Sequence, residues 1–270
     1  MLLNSLRKYY QVFVVSISEM FVWKLNFVLW RVRVVLQILL LYFLWSTVFL
    51  QQEVVFGYER AQILTYIISV AFLRSLVLSS RSVGDVAGDI RDGELTNFLL
   101  RPLSYIGWWW ARDAADKVLN IAFALVELSL LWFLFQPPLI LQSNIVLVLA
   151  TLAASLLALI LYFYFSFLLS MAAFWVAEAW GIRFLAMMTL EFLAGGFFPL
   201  DILPSTVFRA LQLTPFPYML FFPAKIYLGQ LGFNEILMGF GVLVLWTVFF
   251  MWAVQAVWMR GLRTYGAEGR

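Results

Sequence analysis

Apolar residues in this chain run in long continuous blocks separated by short polar clusters, with none of the strict alternation of a half-buried strand. The blocks cover residues 34–50, 61–80, 118–135, 145–176, 182–198 and 236–258. A helix needs ~20 predominantly apolar residues to cross a hydrocarbon core of ~30 Å, so the pattern predicts six transmembrane helices. Helices satisfy their own backbone in lipid, and continuous hydrophobicity favours them over a barrel, whose strands alternate. Block 145–176 contains no Gly or Pro. As a single helix it would be ~48 Å long, so it must tilt or project, and no turn signal divides it. Ahead of the first block, Leu6, Tyr10, Phe13, Ile17 and Met20 recur at helical spacing, and Ser16, Ser18 and Glu19 interrupt the apolar run. This predicts an amphipathic interfacial helix within residues 1–33, since a cleaved signal would carry a longer apolar core. Residues 1–270 thus read as one all-α transmembrane domain.

Composition narrows the chemistry. The 270 residues are 64% hydrophobic and 12% charged, with a mean hydropathy of +0.93, far from the balance of a soluble domain. Cysteine and histidine are both absent, which removes disulfides, thiolate nucleophiles, imidazole ligands and the usual general base. The net charge of +3 does not signal nucleic acid, because the basic residues bracket apolar blocks instead of forming a solvated stripe. With six spans, fourteen of the 18 Lys and Arg residues fall on one side and Arg60, Arg209 and Lys225 on the other, with Arg74 inside a span. Cytoplasmic loops carry the excess of Lys and Arg. Both termini and the long polar loop 81–117 are therefore expected in the cytoplasm, and residues 195–233 outside.

Two segments carry more than general membrane character. In the polar loop, Gly93-Glu94-Leu95-Thr96-Asn97-Phe98-Leu99-Leu100-Arg101-Pro102-Leu103-Ser104 predicts a short helix, with Asp92 as its cap, Glu94 in its first turn, Arg101 in its last and Pro102 as its stop. Leu95, Phe98 and Leu99 would form an apolar side, and Glu94, Asn97 and Arg101 a polar one. A loop helix packed on its own bundle would read the same way. The second segment is Gly195-Gly196-Phe197-Phe198-Pro199-Leu200-Asp201-Ile202-Leu203-Pro204, followed by Pro215-Phe216-Pro217-Tyr218. A helix ending in paired glycines and then proline-broken pieces predicts a stretch that dips back into the membrane from outside, where irregular backbone is tolerated only when buried in protein or lining a cavity.

In this order the two segments resemble those of ABC-2 type permeases, the membrane subunits of ABC exporters, and in particular the six-span group with a separate ATPase. The Gly-Glu-Leu start and Leu-Leu-Arg-Pro-Leu-Ser end are similar to that family's cytoplasmic coupling helix. The small pair, Phe-Phe-Pro, Leu-Pro and Pro-x-x-Tyr after the fifth block resemble its outer re-entrant region. The resemblance implies that residues 93–104 dock on ABC ATPase subunits, that residues 195–218 form the outer gate, and that the chain pairs with a second copy or a similar permease. It further implies a cell membrane location, in a prokaryotic cytoplasmic membrane. No G-x-x-x-x-G-K-[ST] phosphate loop occurs in the sequence, so no cofactor is expected in this chain; ATP and Mg would be bound by the partner ATPase.

Arg74, Glu127 and Glu191 lie inside predicted spans, where charges face protein or a water-filled cavity. Rise per residue allows Arg74 to reach Glu127; such a pair would fix helix packing or line a substrate path. Asp85, Asp89 and Asp92 share helical spacing and read as a solvated acidic face compensated by Arg81 and Arg91, and no metal site is expected. Trp108, Trp109 and Trp110 suit the headgroup belt. A proton-coupled secondary transporter using Glu127 and Glu191 and an intramembrane transferase are the alternative functions. The first lacks an evident internal repeat and leaves the loop helix without a purpose; the second lacks a compact catalytic constellation. An amphipathic or lipid-like substrate suits an aromatic and aliphatic pathway, although the same composition also faces lipid.

Overall fold

The computed structural model describes residues 2–22, 24–80, 82–101, 103–176 and 180–265. The chain is mostly helical. Helix α1 (Leu2–Met20) is followed by α2 (Lys24–Val48), a two-stranded hairpin of β1 (Val54–Val55) and β2 (Tyr58–Glu59), and α3 (Arg60–Leu73). One π-helical turn at Arg74–Leu78 extends α3. Then come α4 (Ser82–Arg91), α5 (Leu95–Leu99), α6 (Tyr105–Phe135), α7 (Ile145–Ser170) with a 3₁₀ turn at Met171–Phe174, and α8 (Trp180–Leu193). Three short pieces, α9 (Ser205–Gln212), a 3₁₀ turn at Phe216–Tyr218 and α10 (Phe221–Tyr227), precede the last helix, α11 (Phe233–Thr264).

Among the described residues, five helices are long and apolar enough to cross a membrane: Phe27–Val48, Arg60–Leu78, Tyr105–Phe135, Ile145–Phe174 and Phe233–Thr264. The fifth predicted block becomes α8, a helix of 14 residues and ~21 Å, short of the hydrocarbon thickness. It stops early because Ala194 is followed by Gly195 at φ +79°, a left-handed conformation that ends a helix.

Two other boundaries move for one reason. The first span was expected from residue 34, yet α2 starts at Lys24 and carries Arg31 and Arg33 within it. The third was expected from residue 118, yet α6 starts at Tyr105, capped by the Ser104 hydroxyl, which accepts from the Gly107 N–H at 3.3 Å. Hydropathy excludes residues 112–117 because Arg112, Asp113, Asp116 and Lys117 are charged. In the fold, however, Asp113, Asp116 and Lys117 are 0%, 8% and 4% exposed, and Lys117 pairs with Asp113 one turn away at 3.3 Å. The Lys117 ammonium also donates to the Val77 and Ser79 carbonyls, which the π turn leaves without regular helical partners. Trp108, Trp109 and Trp110 do not form a belt: Trp109 is buried and Trp110 stacks on Phe163 at 4.1 Å.

Helix α3 is apolar around its circumference and sits at the centre of the larger core, with Ile63, Leu64 and Tyr66 fully buried against residues of α2, α7, α10 and α11. That burial is the expected fate of a helix with no polar face. A second core lies where α4 and the start of α6 meet the ends of α7 and α11, around Val86, Ile90, Leu95, Tyr105, Phe167 and Val254. Helix α1 packs along α6. Arg112 donates to Glu19 at 2.9 Å and the Tyr9 hydroxyl accepts from the Ser104 N–H at 3.2 Å, so the N-terminal helix is fastened to the segment that leads into α6.

Candidate functional site

Two buried ion pairs take up Arg74, Glu127 and Glu191, the three charges expected inside spans, and the expected Arg74 to Glu127 contact is replaced by both. Arg31 grips Glu127 with Nε to Oε1 at 2.7 Å and Nη2 to Oε2 at 2.5 Å, while its Nη1 donates to Asn120 at 2.9 Å. Asn120 and Glu127 lie two turns apart on one face of α6, and the earlier start of α2 brings Arg31 opposite them. This fork leaves little of either side chain exposed, at 10% each, and reads as a packing device between α2 and α6.

The second pair is looser and lies elsewhere. Arg74 Nε is 3.6 Å from Glu191 Oε1 and makes no hydrogen bond among the described residues. Its Nη2 instead donates to the Gly196 carbonyl at 2.9 Å, and Gln37 reaches the other Glu191 oxygen at 3.4 Å. Arg74 and Glu191 line a cavity of about 570 Å³ whose wall is drawn from α2, α3 with its π turn, α6, α7 and α8. Arg33, Gln37, Asp116, Asn120 and the hydroxyls of Ser75, Ser79, Ser80 and Tyr162 add polar groups to a largely apolar wall.

Beyond Arg74 begins the proline-broken segment. Tyr66 donates to the Gly195 carbonyl at 2.7 Å, the Phe221 N–H donates to the Ala194 carbonyl at 3.0 Å, and Trp45 Nε1 donates to the Phe197 carbonyl at 3.1 Å. Three separate elements therefore absorb the carbonyls freed where α8 ends. A Cβ on Gly196 would meet the Glu191 carbonyl at 2.8 Å, so the paired glycines answer to close approach as well as to conformation. Pro199 is buried and caps the turn at Leu200–Ile202, Pro204 caps α9, and Phe198 and Leu203 are half-buried against the larger core. Pro215 is buried ahead of the next turn, and Tyr218 donates to the Gln212 carbonyl at 2.9 Å.

The periphery of this segment holds a cluster that sequence reasoning missed. The Lys225 ammonium, 6% exposed, donates to Asp201 at 2.7 Å, to the Tyr58 hydroxyl at 2.8 Å and to Gln230 at 2.6 Å, and Tyr58 donates to Asp201 at 2.6 Å. Burial, with the Asp201 carboxylate beside it, pushes the Tyr58 phenol well above its ordinary range, so it remains a donor. The cluster fastens the β hairpin to α10 and the turn before α9. Its members are 24 and 143 residues from one another in sequence, and no local spacing announces them.

The coupling-helix segment lies beside the second core. Helix α5 spans only Leu95–Leu99. Gly93 adopts φ +80°, and the cap position falls on Glu94, not on Asp92. Asp92 instead pairs with the adjacent Arg91 at 2.8 Å on the surface. Leu95 is fully buried and Phe98 packs on Tyr105 and Trp108 at 5.3 Å each. Leu99, expected on the same apolar side, is 50% exposed and Leu100 is 82% exposed, because the chain leaves the helix after one turn and nothing underlies them. Glu94, Asn97 and Arg101 are exposed, with the Arg101 guanidinium 4.7 Å from the Phe98 ring. Pro102 lies outside the described residues. Thr96 contacts the Tyr265 hydroxyl through its N–H at 3.3 Å and its Oγ1 at 3.2 Å, which links α5 to the end of α11. The expected acidic face is also divided: Asp89 turns inward and accepts from Tyr105 at 2.8 Å, and burial pushes its carboxyl up to about 6.

Comparison with curated protein sequences gives no match. The sequence does match the family described as ABC-2 family transporter protein, over residues 35–269, a stretch that contains the central helix, both loose and tight ion pairs apart from Arg31, the α5 segment and the paired glycines. The chain therefore belongs to the ABC-2 transporter family, as a membrane-embedded permease component.

Proposed function

We propose that this chain is the membrane-spanning subunit of an ATP-driven exporter and that its substrate is amphipathic. It works as a pair with a second copy or a similar permease, on ABC ATPase subunits that bind ATP and Mg and perform the hydrolysis. In this reading α8, continued by residues 194–198, acts as the sixth and shortest span. Both termini and residues 81–117 lie in the cytoplasm of a prokaryotic cell, and residues 195–233 form the outer gate.

The observation that supports this most directly is the continuity between α5 and the outer segment. Leu95 and Phe98 seat α5 on α4 and on the start of α6, and Thr96 ties it to Tyr265 on the end of α11. About three turns along α6, Lys117 holds the carbonyls of Val77 and Ser79 at the π turn. That turn begins with Arg74, which holds Gly196 at 2.9 Å. A push on α5 from a nucleotide-driven partner would thus be carried by one rigid helix to the residue that grips the outer segment. A π turn suits the middle of such a path, because single π turns within α-helices are frequent at functional sites.

The docking test is a double charge reversal, Glu94→Arg with Arg101→Glu. Both residues are exposed and outside the spans, so insertion should be unchanged. Like charges meeting across an interface cost up to several kcal/mol when desolvated and less at a rim. The expected product is a permease that expresses normally, loses its ATPase on purification and no longer exports. Full ATPase recovery with undiminished transport would remove α5 from the docking role. Orientation is tested independently. The chain has no cysteine, so Asp85→Cys and Ser205→Cys, both at exposed positions, give clean labels. An impermeant maleimide added to intact cells should label Ser205→Cys alone, and the opposite pattern would invert the topology.

A further inference from the structure

Arg33 is difficult to explain as structure alone. It lies six residues into the span that begins at Phe27, ~9 Å along the helix, and among the described residues it has no carboxylate partner. Its guanidinium rests over the Trp30 ring at 4.1 Å and borders the same cavity of about 570 Å³ as Arg74. Charged side chains at membrane depth face protein or a water-filled cavity and are retained for a partner. The wall offers them no free carboxylate, since Glu191 is approached by both Arg74 and Gln37 and Asp116 is 8% exposed beside the buried Lys117. The donors in excess are the guanidinium N–H groups of Arg33, joined by Arg74 Nε, which makes no hydrogen bond among the described residues and only a long contact of 3.6 Å to Glu191.

Resting on the permease reading above, we propose that this cavity binds the anionic headgroup, phosphate or carboxylate, of an amphiphile. Arg33 and Arg74 are its donors, and the Val34, Ile38 and Met187 wall receives its chain. Guanidinium matches both oxyanions with paired, charge-assisted hydrogen bonds. Methionine adapts to an irregular apolar tail, and a small hydrated anion entering an apolar wall would lose its water without replacement. Because Arg74 also holds Gly196, a headgroup that recruits this guanidinium draws on the bond that anchors the outer segment, so occupancy and the outer segment share one residue.

The full chain in a neutral maltoside detergent is titrated with dodecyl phosphate, dodecylphosphocholine, dodecyltrimethylammonium and inorganic phosphate, with thermal stabilisation as the readout. Dodecyl phosphate should bind saturably and about tenfold more tightly than the other two amphiphiles, and Arg33→Gln should weaken it about tenfold, as loss of a charge-assisted pair implies. Among the described residues Arg33 makes no hydrogen bond or ion pair, so this variant should keep the fold. Arg74→Gln, which also loses the Gly196 bond, should weaken binding as well. Equal binding of the three amphiphiles, or unchanged affinity in Arg33→Gln, would overturn the site. Equally tight, Arg33-dependent binding of inorganic phosphate would replace the amphiphile by a free anion and overturn that assignment. The readout involves no ATPase, so failure here leaves the export reading to be judged by the charge reversal at Glu94 and Arg101.

Discussion

Glu127→Leu is expected to cost about 3–5 kcal/mol of stability, the range for breaking a buried pair and leaving one charge uncompensated. Arg31 is 8% exposed and commits two of its nitrogens to Glu127. Without that carboxylate the Asn120 hydrogen bond at 2.9 Å and the Phe123 ring at 5.2 Å are what remain among the described residues, and the guanidinium must be stranded or must drag α2 toward the headgroups. Thermal melting of the purified chain in neutral detergent should show the loss directly. The informative comparison is the double variant Arg31→Leu with Glu127→Leu, which removes both charges and fills the space with apolar atoms. Replacing a buried pair by hydrophobic residues of similar volume is often neutral or stabilising. The double variant should therefore recover most of the stability, with a coupling energy above about 2 kcal/mol, the upper part of the range for residues in contact. A single variant that melts with the parent chain would reduce the fork to an exposed and inconsequential contact.

The sequence made this pair hard to find for a physical reason. Hydropathy assigns a charge to whichever side of a span it ends, and Arg31 followed by Arg33 reads as the positive flank of a helix starting at residue 34. Once a carboxylate on another helix neutralises Arg31, the helix can begin whole turns earlier, at Lys24. The same error occurs at α6, where Asp113 and Lys117 cancel one another at the spacing of one helical turn and the chain continues as helix through a stretch that reads as loop. In contrast, that α8 would break at the paired glycines was legible, although the apolar block ran on to residue 198, because Gly195 and Gly196 followed by Pro199 act through local conformation and need no partner to be recognised. The α5 segment falls between these cases. Its existence followed from Glu94, Arg101 and Pro102 and the apolar spacing of Leu95 and Phe98, whereas the cap expected at Asp92 falls on Glu94 and the fate of Leu99 depended on where the chain turned next. Tyr58, Asp201 and Lys225 were illegible altogether, since their proximity is made only by the assembled outer end.

Gly195→Val should disable the junction between α8 and the outer segment. At φ +79° a non-glycine residue carries a strain of about 1–3 kcal/mol, and a β-branched one is a genuine outlier. Space adds to conformation. A Cβ at this position would stand 2.6 Å from the Tyr66 hydroxyl and 3.2 Å from both Leu200 Cγ and Phe221 Cβ. Tyr66 is fully buried and donates to the carbonyl of Gly195 itself at 2.7 Å, so it can retreat only by giving up that bond, at about 1–3 kcal/mol for a buried group left unsatisfied. The two contributions separate in a series. Gly195→Ala in a Tyr66→Phe background removes the hydroxyl that collides and keeps the backbone strain, and should be less harmful than Gly195→Ala alone despite the lost hydrogen bond. Limited proteolysis is the sharper measurement, because α9 and the loop before it already expose Pro204, Ser205 and Arg209, and cleavage there should accelerate once Gly195 no longer anchors the segment. An alanine variant cleaved as slowly as the parent, with no effect of Tyr66→Phe, would mean that α8 ends here for the sake of Gly196 and its contact with Arg74 alone.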